Sequence, residues 1–263
     1  MIRIWKQPDG ILIPAEAAGP GTWVDVRWAS REDLATLEIG HGILAEHLQD
    51  IVDADEQARL EKEDAYTLFI VRLPVHDCRY EPVFFTAPVG LVLFPDRVMT
   101  VCWADSEVLD DLSNNRVRGF SLSNRNALVL HLLGRAAAVY LRHLKVLNRL
   151  TSSIERELQK SVRNTELVQL LTIEKSLVYF ATSLKSNELL IEKLSRSRLL
   201  RFSEEETEFL EDVEIDNRQA ITMANIHSDI MAGMMDAFAS VISNNLNIVM
   251  KLLTVISVVL MIP

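Results

Sequence analysis

The rhythm of apolar and polar positions changes once along this chain of 263 residues, near residue 122. Before that point the apolar residues fall in short β-rich runs separated by glycine and proline. Ile2–Trp5, Ile11–Ile13 and Thr22–Trp28 come first, then Ala58–Asp64, Tyr66–Leu73, Glu81–Ala87, Val89–Phe94 and Arg97–Trp103. Each run predicts a strand. Thr67–Val71 is almost continuously apolar, which predicts a strand covered on both faces. Between the two groups, Ser30-Arg-Glu-Asp33 reads as a helix start, and helical spacing extends over 31–52 with an interruption near Gly40 and Gly42. Strands interleaved with helices predict an α/β sandwich on a mixed sheet over residues 1–122.

Beyond this point the period is helical. No proline occurs between Pro95 and Pro263, and the remaining glycines are Gly119, Gly134 and Gly233. Two long helices are expected over 124–160 and 164–195, an antiparallel hairpin within a second unit of residues 123–202. A third helix starts at the capping box Ser203-Glu-Glu-Glu206 and meets no breaker except Gly233, so 203–263 is read as one stalk helix. At about 1.5 Å per residue it would be roughly 90 Å long. A helix of that length leaves its own globule and needs partners along its side.

Its last stretch, Leu252 to Pro263, carries no charge. A membrane span takes roughly 20 mostly apolar residues, so the expectation is a chain cut within its first membrane-spanning helix. Ile226, Ile230, Met234, Ala237, Val241, Ile248 and Leu252 follow helical spacing as an apolar stripe for packing. A second row reads Asp229, Gly233, Asp236, Ser240, Ser243, Asn247, Met250, Thr254 and Ser257. Its steps of three and four put it on one side of the helix. Polar groups facing lipid are costly, so a row that runs into the apolar segment calls for an aqueous interior. Parallel copies around an axis would turn Asp236 into a carboxylate ring, Asn247 into an amide ring and Met250 into an apolar constriction. A solvated face or a relieved coiled-coil seam is the plainer alternative.

The formal net charge of −10 excludes a nucleic-acid partner and suits metal cations. Two cysteines, Cys78 and Cys102, form no disulfide framework, and a reducing cytoplasm fits. The start MIRIWKQPDG lacks a signal-peptide core. His76-Asp-Cys78 reads as a surface turn, His41 and His47 do not share a helix face, and His131 and His143 read as packing or surface residues. No phosphate loop, zinc-peptidase motif or nucleophile elbow occurs, so no enzyme is expected.

The run Ser243-Asn-Asn-Leu-Asn-Ile-Val-Met-Lys-Leu-Leu-Thr254 resembles the stretch where the stalk helix of CorA magnesium transporters becomes the first membrane helix. Lys175-Ser-Leu-Val-Tyr-Phe-Ala-Thr-Ser-Leu-Lys-Ser-Asn-Glu188 is similar to a helix of that family's hairpin. Leu48–Asp53 and Ala58–Tyr66 are similar to its helix-to-strand segment. The family's Gly-Met-Asn signature would lie beyond Pro263.

The resemblance implies the cytoplasmic part of a Mg²⁺ channel in the inner membrane, with Co²⁺ or Ni²⁺ as other cargo. It also implies a funnel-shaped homopentamer with the α/β unit at its rim, and Mg²⁺ or another divalent cation held between subunits to favour the closed state. The family's regulatory aspartates correspond to Asp50 and Asp212; Mg²⁺ is hard, prefers oxygen and is often held through its waters by one or two carboxylates. Gln49 stands where some relatives have an acid, which puts a second interface ion in doubt. Asp236 and Asn247 match pore positions, Met250 and Met261 match apolar constrictions, and Leu246 replaces an often hydroxylic residue. A zinc transporter of the ZntB type shares the architecture, and a membrane-tethered scaffold that conducts nothing is the alternative of another class.

Overall fold

The computed structural model describes residues 1–160, 164–197 and 200–261. Seven strands form one sheet: β1 (Ile2–Lys6), β2 (Ile13–Pro14), β3 (Thr22–Arg27), β4 (Arg59–Lys62), β5 (Thr67–His76), β6 (Phe84–Leu93) and β7 (Val98–Cys102), in the order β2-β1-β3-β7-β6-β5-β4. All neighbours are antiparallel except β3 and β7, so the sheet is mixed, as expected. Side chains alternate across it. Leu68, Ile70, Val92, Met99 and Val101 face one core; Phe69, Val71, Leu73, Leu91 and Val98 face the other. β5 is buried on both faces, as its apolar run predicts.

Helices α1 (Arg31–His41) and α2 (Ala45–Val52) cover the first face. Ser30 and Asp33 close a reciprocal capping box on α1, and Gly42 ends it in the left-handed region at φ 68°. α2 lies close to the sheet at Gly90, where a Cβ would stand 2.3 Å from Ile51 Cδ1. The second face is covered by α3 (Glu107–Ser113), α4 (Arg125–Lys160), α5 (Asn164–Arg196) and α6 (Glu204–Met261). The α5 residue Asn187 ties hairpin to sheet: its Oδ1 accepts from the Arg72 amide at 2.9 Å and its Nδ2 donates to the Arg72 carbonyl at 2.8 Å.

Three expectations change. The runs Glu81–Ala87 and Val89–Phe94 are one strand, β6, continuous through Pro88. Pairing with β7 ends at Val89, so Pro88 has no β7 partner to supply with an N–H. α3 had no counterpart in the sequence reading; seven residues are too short to show a helical period. Of the predicted stripe, Met234 packs against the core, whereas Ile226, Ile230 and Val241 are about half exposed. α6 instead packs through Leu210, Val213, Asn217, Ala220, Ala224, Met231 and Phe238, on the adjoining face.

Candidate metal and pore sites

α6 separates from the globule along its length. Ser203 caps it, with its Oγ accepting from the Glu206 amide at 3.2 Å while Glu206 Oε2 accepts from the Ser203 amide at 2.7 Å. Beyond Phe238 no described side chain is buried. The stretch from there to Met261 is about 35 Å at helical rise, similar to the roughly 30 Å hydrocarbon thickness of a bilayer. α6 is the one described helix long and apolar enough to cross a membrane, and its apolar window is wholly exposed. A buried core helix would show the opposite.

The predicted row lies on this free stretch and just above it. Asp229, Gly233, Asp236, Ser240, Ser243, Asn247, Met250, Thr254, Ser257 and Met261 are all exposed. Thr254 Oγ1 donates to the Met250 carbonyl and Ser257 Oγ to the Leu253 carbonyl, each at 2.8 Å. Those protons are satisfied within the helix, and the hydroxyl lone pairs remain free as acceptors, the polarity a cation needs. Residues 262–263 of the predicted helix lie outside the described residues.

Asp50 and Asp212 lie on different elements, and no hydrogen bond or ion pair joins them within one chain. Asp50 is on the last turn of α2. Its Oδ2 accepts from Arg59 Nη2 at 2.6 Å. The same guanidinium holds Glu56 through Nη1 and Glu61 through Nε, so one cation serves three carboxylates. Burial alone would raise Glu61; the bond and charge of Arg59, followed by those of His47, outweigh it and hold the carboxyl below the usual range. Asp212 is exposed near the head of α6, where it makes no hydrogen bond or ion pair among the described residues. Its neighbour Glu214 is engaged by Arg218 at 2.6 Å.

The description "CorA-like Mg2+ transporter protein" belongs to the family model that matches residues 20–263. The chain belongs to the CorA family. A curated relative, the cobalt/magnesium transport protein CorA of Methanocaldococcus jannaschii, is 25% identical over 245 residues, covering 92% of this chain and 76% of the relative. The complete structure of the CorA magnesium transporter from that organism superposes with a TM-score of 0.82 at 23% identity, over 98% of this chain and 82% of that one. The ZntB cytoplasmic domain from Vibrio parahaemolyticus gives 0.67 at 10% identity, over 92% and 98%. These likenesses establish the CorA fold, a mixed-sheet α/β unit followed by long helices. CorA-family chains are membrane transporters of divalent cations with a cytoplasmic domain, not enzymes.

His47 was weighed only against His41, and Arg59, Glu61, Glu63 and Tyr66 were not singled out from the sequence. The period-two spacing of Arg59 and Glu61 was the available signal, because it places both on the α2 side of the edge strand; Glu63 follows just past the end of β4. His76 is the last residue of β5 and pairs with Phe84, so only Asp77 and Cys78 belong to the turn that was read there, where Asp77 holds Arg79 at 2.6 Å.

Proposed function

We propose that this chain is the cytoplasmic sensor and pore-entry portion of a homopentameric Mg²⁺ channel in the inner membrane. The observation that carries this reading is the exposed row on α6, which continues polar into a segment apolar enough to cross a bilayer. Lipid would penalise that row, whereas five copies facing an axis would hydrate it. Asp229 and Asp236 then concentrate cations, Asn247 accepts the hydrated ion, and Met250 and Met261 narrow the path. Ser240, Ser243, Thr254 and Ser257 offer oxygen between these rings. The fold is shared with a ZntB domain, so the choice of Mg²⁺ over Zn²⁺, Co²⁺ or Ni²⁺ follows the family match.

Asp212 of one subunit and Asp50 of the next would hold a hydrated Mg²⁺ between them. Their chemistry fits, since both are accessible carboxylates and Asp212 has no competing partner. Asp50 is shared with Arg59, so the ion would enter a site already occupied by a tethered cation. Bound Mg²⁺ joins subunits; its loss leaves acidic surfaces to repel and shifts the population toward an open arrangement.

The test is thermal unfolding against Mg²⁺. At one hundred times its dissociation constant a ligand stabilises by about 2.7 kcal/mol. Asp50→Ala combined with Asp212→Ala should abolish that stabilisation, and an unchanged shift would place the ion elsewhere. Mg²⁺ uptake into vesicles should fall in Asp236→Ala; undiminished uptake would remove Asp236 from the conduction path.

A further inference from the structure

Beside the Asp50–Arg59 pair the fold assembles a second group of donors. α2 turns His47 inward, where it is 3% exposed. Leu60 points into the opposite core, so Glu61 faces α2, and Glu63, just past the end of β4, brings its carboxylate to the same place. His47 Nε2 lies 2.7 Å from Glu61 Oε2, and a ligand atom from each of His47, Glu61 and Glu63 lies within 4.8 Å of the other two. Among the described residues this is the only such group of three. The carboxylate of Glu63 is half-buried beside that of Glu61 and makes no hydrogen bond or ion pair of its own. An ion pair between His47 and Glu61 would explain two of these residues. It leaves the third as an unrelieved negative charge.

The imidazole is also prepared for ligation. His47 Nδ1 lies 2.8 Å from Tyr66 Oη, and the Leu44 amide donates to the same oxygen at 3.1 Å. With Nδ1–H donating to Tyr66, Nε2 presents its lone pair to the carboxylates, the outer arrangement that fixes a metal-binding histidine. We propose that His47, Glu61 and Glu63 form an intrasubunit site for a divalent transition-metal ion of the zinc class, separate from the Asp50–Asp212 pair. One imidazole nitrogen and two carboxylates suit Zn²⁺ or Co²⁺, whereas Mg²⁺ takes oxygen and gives up its water reluctantly. Bonds of about 2.0–2.2 Å in a tetrahedral site bring donors roughly 3.4 Å apart. Modest carboxylate rotation reaches that spacing, and a water completes the fourth position. Glu61 is also a ligand of Arg59, so the site sits one guanidinium away from Asp50. The proposal stands whether or not the chain conducts.

The test is calorimetric titration of the purified protein with Zn²⁺ at constant excess Mg²⁺, repeated with Co²⁺ by visible absorption. A Cys78→Ser background removes the exposed thiol. The expected result is one Zn²⁺ per chain, at least tenfold weaker in Glu63→Gln and in His47→Asn, and unchanged in Asp50→Ala with Asp212→Ala. Glu63→Gln breaks no existing contact, so its result stands even where His47→Asn disturbs folding. Zinc affinity that survives Glu63→Gln overturns the proposal, as does zinc binding lost only in the aspartate double variant or absent from the parent protein.

Discussion

Gly90→Ala measures how closely α2, the helix that carries Asp50, is seated on the sheet. The added methyl would lie 2.3 Å from Ile51 Cδ1, 2.6 Å from Cγ1 and 3.3 Å from Cγ2, against an optimum of about 3.5–4.0 Å. Gly90 has a strand on each side, paired with Ile70 and Val101, and Ile51 is fully buried. Neither backbone has room to retreat independently, so the helix must lift or Ile51 must leave its rotamer. Overpacking of this kind costs about 1–3 kcal/mol, while alanine recovers roughly 0.5–1 kcal/mol over glycine in a strand. The net expectation is a loss of about 0–2.5 kcal/mol. Ile51→Ala alone should cost about 2–5 kcal/mol through its cavity. It also removes all three crowding atoms, so the double variant should be more stable than the sum of the two changes by about 1 kcal/mol or more. Urea unfolding followed by fluorescence of the four tryptophans supplies the cycle. Additivity within about 0.5 kcal/mol would refute the contact as the constraint.

Arg59→Ala should free Asp50 and strengthen the Mg²⁺ response; a partly exposed pair is worth about 0–1 kcal/mol, so up to roughly fivefold in apparent affinity. A weaker response in Mg²⁺-dependent unfolding would make Arg59 a support of the site instead of a competitor. Burial pushes His143 down to about 4, even with Glu107 beside it pulling the other way. The unfolded chain therefore takes up this proton first, so His143's contribution to stability is complete above about pH 6.5 and declines as pH falls toward about 4. His143→Gln should flatten that window in a melting-temperature series, and an unaltered slope would exclude His143 as its source. Ser203→Ala should cost about 1 kcal/mol by opening the cap of α6, read by thermal unfolding; a change of only a few tenths would mean water replaces the hydroxyl.

What was legible in the sequence was whatever a local period or a cap encodes. Ser30 and Asp33, Ser203 and Glu206, the two-sided β5 run and the unbroken α6 all reflect interactions within a few residues, and the structure bears them out. The β6 break at Pro88 was misplaced because whether proline is tolerated depends on where β7 stops, which is a matter of register. The packing stripe of α6 was read one face over because its actual partners, α4 and α5, select small residues such as Ala220 and Ala224 as well as large ones. His47 was compared with His41 as if on one helix, yet Gly42 separates them and its true neighbours lie on β4. The Arg59 link to Asp50 depends on the same meeting of helix and strand.

The last buried contact of α6, at Phe238, also divides the rod mechanically. From Asp212 to that point is about 39 Å along the axis, and from there to Met250 about 18 Å. A straight helix that tilts about Phe238, carrying with its upper arm the α4 and α5 residues packed on it, would behave as a lever with unequal arms. A sideways push of 1 Å at the acidic head delivers about half that travel at Met250, in the opposite sense, with about twice the force. Such gearing would exchange amplitude for strength, which suits the apolar constriction proposed at Met250.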